Sequence, residues 1–168
     1  MKQLLISAAV FGLTAGAAMA QTTIKFASGA PGPAPINGVL QKWSDDVTAA
    51  SDGALTIEFV PGGVLGKDGQ LYDRVQNGVV DMAWDLQAAY PGEFPATTVS
   101  EQSGAYDNAG PASTALWNLY ADGTIAEEYD AVKVLGIFAF ATSTVMVSSP
   151  VETLADLDGM KLTTGSLM

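Results

Sequence analysis

Residues 55–85, LTIEFVPGGVLGKDGQLYDRVQNGVVDMAWD, contain two strand-like runs separated by a glycine-rich turn and a short helical pattern. In the first run Leu55, Ile57 and Phe59 alternate with Thr56 and Glu58, the period of two expected of a strand with one face better buried than the other. Pro61, Gly62 and Gly63 end it. From Gln70 the spacing turns helical, with Leu71 and Val75 four apart, and Gly78 stands where a helix C-terminal glycine adopts positive φ. Residues 79–84 read as a second strand. Strand, helix and strand in so short a span predict parallel strands joined by a right-handed crossover, and hence an α/β fold.

Toward the N-terminus, residues 22–27 read as an earlier strand, with Ile24 and Phe26 facing one way and Lys25 the other. The loop 28–35, SGAPGPAP, is too rich in glycine and proline for regular structure. A helix follows, with Ile36, Val39, Leu40, Trp43, Val47 and Ala50 on one face, and Asp52-Gly53 ends it. Trp43 is expected in the core. Three parallel strands result, and the loop 85–95 leaves the carboxyl end of the third, where open parallel sheets bind ligands.

Further along, residues 109–121 form a helical pattern closed by Asp122-Gly123, and 125–129 a second helical piece. The almost continuously apolar run 132–140 predicts a strand buried on both faces. Another strand is expected over 142–148, then a capping box of Thr153 and Asp156 opening one helical turn that Gly159 ends. A last strand opens at 161–164 and the chain stops there, so a truncated chain is the expectation.

Residues 1–20 differ from the rest. Lys2 precedes an apolar run, and Ala18-Met19-Ala20 matches a cleavage site before Gln21, the pattern of a secretory signal peptide. The formal charge is −11, with 7 basic and 18 acidic residues, and cleavage removes Lys2 and makes it one unit more negative. So few scattered cations form no basic patch, which argues against nucleic acid as a partner. The chain has no cysteine, so its stability rests on its core.

With no histidine and no cysteine, imidazole and thiolate mechanisms are excluded, as are the usual zinc sites. A serine-lysine hydrolase is formally available through Lys161 near Ser166, but no motif frames it. The turn PGGVLGKDG fails as a Walker loop: Pro61 stands where a glycine is required, and Asp68 replaces the magnesium-binding hydroxyl after Lys67. Acid pairs such as Asp45-Asp46 read as solvated helix faces, and the Asp-Gly pairs at 52, 68, 122 and 158 as turns. No cofactor, metal or catalytic residue is expected. Trp84 and Asp85, at the end of the third strand, are the first candidates for a binding site.

IKFASGAPGPAP, the Trp43 helix, the 55–84 stretch, PGEFP, VKVLG and PVETLADLDGMKL together resemble the DctP-type solute receptors of TRAP transporters. The most specific parts are the PGG-x-LG turn with Gly78 to Asp81, and LADLDGMK. The resemblance implies a periplasmic-binding-protein-like α/β fold: a signal peptide over 1–20, a first domain over 21–130, and connecting strands and the start of a second domain over 131–168. It also implies periplasmic localisation, a small organic solute, most simply an organic acid, held in an interdomain cleft, and delivery to membrane permease subunits. By family position the substrate-binding residues are Ser28, Gly29, Trp84, Asp85, Leu86, Ser143 and Thr163. The family places carboxylate-binding arginines at the last two positions, where this chain has hydroxyls, so weak acid binding or a preference for a neutral polyol is the expectation. Arg74, the only arginine, is expected in a surface ion pair. The alternative reading is a non-binding remnant with a structural or interaction role.

Overall fold

The computed structural model describes residues 21–102, 104–141, 147 and 149–161. The signal peptide expected over 1–20, most of the strand expected over 142–148, and the candidates Ser143 and Thr163 lie outside the described residues. The elements run β1 (Thr22–Ser28), α1 (Pro35–Ala50), β2 (Leu55–Val60), α2 (Leu71–Gln76), β3 (Met82–Trp84) and α3 (Ala109–Ala121), with short 3-10 turns among them.

The three strands are parallel, in the order β2-β1-β3. The two strands of the 55–85 stretch therefore do not pair with each other. β1 lies between them because its carboxyl half, Phe26, Ala27 and Ser28, is buried and suits a central position. Phe26 faces Phe59 in register on one side and Met82 on the other. β3 is shorter than the 79–84 run: the amides of Val79 and Val80 turn back to the Arg74 carbonyl. The Asp81 carboxylate then accepts from the Lys25 amide at 2.8 Å, a side-chain bond at the point where the ladder begins. Gly78 has φ +67°, the left-handed geometry its position after α2 predicts.

Helices cover both faces of the sheet. α1 lies on the face of Phe26, whose ring meets Trp43 edge-on at 5.9 Å and Phe59 at 5.0 Å. α2 lies on the other, where Leu71 and Val80 close over Ala27 with Val75 and Leu65 around them. The expected apolar face of α1 is only partly inside. Asn37 and Ser44 are its buried residues, whereas Trp43 is 39% exposed and Val39 63%. The Ser28–Asn37 hydrogen bond accompanies this orientation, with the row of Asn37 and Ser44 turned inward and Trp43 at the margin of the core.

A second apolar cluster gathers Tyr90, Phe94, Leu116, Ile125, Tyr129 and Ile137. Asn108 caps α3 by accepting from the Gly110 amide at 2.9 Å. The run 132–140 is not a strand. Ile137 enters this cluster, but Leu135, Phe138 and Phe140 are exposed, and no strand pairs with the run among the described residues. It is held instead by Ser113, whose Oγ accepts from the Ala139 amide, and by Tyr106, whose hydroxyl donates to the Phe140 carbonyl at 2.6 Å. The capping box of Thr153 and Asp156 is present, at the start of the 3-10 turn Leu154–Leu157.

Leu71 has no exposed surface and is the side chain that α2 plants on β1. Leu71→Ala is expected to lower the free energy of unfolding by about 2–5 kcal/mol in urea titration. Val39→Ala, at an exposed position of α1, is expected to change it by less than about 0.5 kcal/mol.

Candidate functional site

Because β1 sits between β2 and β3, the chain leaves the carboxyl ends of two adjacent strands, β1 and β3, toward different neighbours. That divergence opens a crevice at a topological switch point. Its first wall is the loop after β1. The Ser28 hydroxyl donates to Asn37 Oδ1 at 2.8 Å, and Asn37 Nδ2 donates to the carbonyls of Pro31 at 2.8 Å and Gly32 at 3.1 Å. One buried serine-asparagine pair thus shapes the SGAPG loop. The Ser28 side chain is 1% exposed and serves that loop.

Gly29 is required by close approach. A Cβ there would lie 2.2 Å from Asp68 Oδ1 and 2.7 Å from the Asp68 backbone nitrogen. The glycine turn of 61–69 therefore packs directly against the loop after β1.

The second wall starts from Asp85. Its Oδ1 accepts from the amides of Leu86 at 2.9 Å and Gly69 at 3.3 Å, and its Oδ2 from the Leu71 amide at 3.1 Å and from the Tyr90 hydroxyl. Four donors thus converge on this carboxylate, and among the described residues it forms no ion pair. Tyr90 in turn accepts from the Tyr72 amide at 2.8 Å. Burial, and after it the bond to Asp85, holds the Tyr90 hydroxyl above the ordinary tyrosine range. Asp68 is likewise raised, by burial and then by the Asp85 charge.

Against the second wall lies an open cavity of 1710 Å³, which Asp85 lines and the loop after β1 does not. Trp84 and Leu86 line it, and the Trp84 ring meets Phe140 edge-on with centroids 6.0 Å apart. Phe26 and the exposed part of Trp43 continue the apolar lining. Lys133 and Lys161 line it as well, and among the described residues neither forms an ion pair. Arg74 lies elsewhere. Its stem packs on Gly66, where an added Cβ would come within 2.9 Å of Nε, and among the described residues it has no carboxylate within 4 Å, which corrects the expected surface ion pair.

Of the expected site residues, Trp84, Asp85 and Leu86 thus line the cavity together, whereas Ser28, in register with Trp84, and Gly29, packed on Asp68, do not line it. Sequence reasoning missed Asp68, Tyr90, Asn37, Phe140 and the two lysines. Asp68 carried a signal, since an Asp-Gly pair five residues beyond a PGG turn was absorbed into turn chemistry. Phe140 closes the run whose pattern predicts a buried strand, and nothing in its spacing links it to Trp84.

Residues 26–168 match the family described as bacterial extracellular solute-binding protein, family 7, or DctP. Among solved structures, a TRAP periplasmic solute-binding protein from Desulfovibrio salexigens is 29% identical with a TM-score of 0.75 over 84% of this chain. A marine metagenome TRAP protein specific for aromatic acid ligands, in complex with 3-hydroxybenzoate, is 34% identical with a TM-score of 0.74 over 83%. One from Bordetella bronchiseptica, with bound mandelate, is 28% identical with a TM-score of 0.70 over 82%. The chain spans 44% of the length of each of these three. With the family matched over almost its whole length and the sheet order and crevice in place, the chain belongs to the DctP family of bacterial extracellular solute-binding proteins.

Proposed function

We propose that this chain is the first part of a periplasmic receptor that captures a small aromatic carboxylic acid and delivers it to the membrane permease subunits of a TRAP transporter. The observation that carries this reading is the Trp84–Phe140 pair at the carboxyl end of β3, an aromatic wall on the crevice where parallel sheets take ligands. The metagenome relative that is specific for aromatic acids and the mandelate-bound relative support the ligand class. Binding would be non-enzymatic, with the solute held between two domains by hinge closure.

In this reading Trp84 and Leu86 contact the solute, while Ser28, Gly29 and Asp85 hold the walls. Ser143 and Thr163 keep the family positions of the carboxylate-binding arginines. Lys133 and Lys161 line the cavity and supply the cation that those two hydroxyls lack, as point charges and not as a bidentate fork. Residues 1–20 export the protein and are removed.

Four measurements test the proposal. Mass spectrometry of protein secreted to the periplasm is expected to find Gln21 at the N-terminus, and retention of residues 1–20 would refute export by cleavage. A melting curve with 3-hydroxybenzoate is expected to move upward, approaching about 2.7 kcal/mol of added stability at a hundredfold excess over Kd. No rise at millimolar acid would sink solute capture by this chain. Lys133→Met and Lys161→Met are expected to weaken acid binding about tenfold or more where each contacts the carboxylate, the loss of a charge-assisted hydrogen bond of about 1.5–3 kcal/mol. Thr163→Arg should tighten it by restoring the fork, and an unchanged Kd would disprove the carried-over position.

A further inference from the structure

Asp68 lies in the turn between β2 and α2, and a purely local turn role leaves part of its geometry unexplained. Its Oδ1 is cut off from solvent and has no hydrogen-bond partner among the described residues. The same atom is the one pressed against Gly29, at the loop after β1. A buried carboxylate oxygen with nothing to accept from is costly, so the group is either strained or carries a proton.

The surroundings decide between these. The loop after β1 presents Gly29 and Ala30, which do not titrate. From the end of β3 comes Asp85, an acid, and behind it Tyr90, whose hydroxyl is donated to Asp85. Arg74 of α2 packs on Gly66, and neither it nor the neighbouring Lys67 forms an ion pair with Asp68 among the described residues. Two carboxylates side by side do not both ionise freely. Asp85 accepts four hydrogen bonds whereas Asp68 Oδ1 accepts none, so of the two carboxyls Asp68 is the one that a proton relieves. Burial first, and the Asp85 charge second, hold the Asp68 carboxyl above its ordinary value of 3.8.

We infer that Asp68 is a positioning residue that seats the first wall of the crevice through a proton shared with Asp85. Protonated, its carboxyl donates to Asp85 and the 61–69 turn backs Gly29. Ionised, it repels Asp85, and the loop after β1 loses that backing. The inference takes its functional meaning from the receptor reading above, but its test requires no solute, so a failure of acid binding and a failure of the shared proton are separable.

The folded state holds the Asp68 proton to higher pH than the unfolded chain does. Its contribution to stability is therefore fully present below pH 3.8 and is lost as pH rises through the folded-state value. Asp68→Asn keeps a neutral donor toward Asp85 at every pH. The Tm of the variant is expected to match wild type at the acid end and to exceed it progressively as pH rises. Parallel curves, or a wild type more stable at neutral pH, would overturn the inference. Should the variant fold poorly, the carboxyl carbon of Asp68 in the wild-type chain provides a direct reading by NMR. It is expected to titrate above 3.8, with the Gly29 amide following the same midpoint, and a carboxyl midpoint at or below 3.8, or a Gly29 amide that does not move, overturns it equally.

Discussion

The Asp85 carboxylate is the interaction on which the arrangement of this molecule depends. It terminates β3, accepts from the amides of Gly69 and Leu71 at the entry to α2, and takes the Tyr90 hydroxyl. Hydrogen bonds to a charged acceptor contribute about 1.5–3 kcal/mol each, more than neutral ones. They also reinforce a junction that Tyr72 of α2 makes by packing edge-on against Tyr90 and Phe94. Leu71 belongs to the cluster on the Ala27 face of the sheet, whereas Tyr90 belongs to the cluster with Phe94 and Tyr129. One carboxylate therefore connects the two cores, and any rearrangement of the loop 85–95 would disturb both.

Asn37 performs the matching task at the other wall. Its amide gathers the carbonyls of Pro31 and Gly32 while its oxygen accepts from Ser28. The price of this arrangement is visible on α1, where Asn37 and Ser44 occupy the interior and Val39 and Trp43 remain open to the cavity. A shape-determining polar pair has displaced apolar surface outward, and that surface then becomes part of the cavity lining. Fold and site are in this sense settled by the same two buried polar side chains.

Much of the scaffold was legible in the sequence because periodicity is a local property. The period-two run 55–60, the fourfold spacing of Leu71 and Val75, the positive-φ glycine at 78 and the Thr153–Asp156 capping box each depend on residues a few positions apart. Strand order was not legible, since nothing local in 55–85 says that β1 will insert between its two strands. The 132–140 run misled for a related reason: continuous apolar character marks burial, but only a free strand edge makes a strand, and Ser113 and Tyr106 captured this backbone instead. At the site, Trp84 and Asp85 were found from their place at a strand end. Asp68 and Phe140 were not, because the contacts that give them meaning, with Gly29 and Trp84, span long separations.

The charge of −11 poses a final question for the proposed capture of an acid, since the chain as a whole repels one. At physiological ionic strength the screening length is about 8 Å, so charges scattered over the surface are largely hidden from a solute inside the cavity. What the solute meets is set within that distance. Asp81 is tied to the Lys25 amide and Asp85 to four donors, so their charge is already locally compensated. Glu101 is raised by burial, which weakens its hold on negative charge. The lysines at 133 and 161 have no such partner among the described residues. An acidic protein with a locally cationic, aromatic-walled cavity is thus physically consistent, provided that every carboxylate near the crevice is neutralised by its own hydrogen bonds or its own proton. Asp68, raised by burial and by Asp85, is shifted in the direction of the second route.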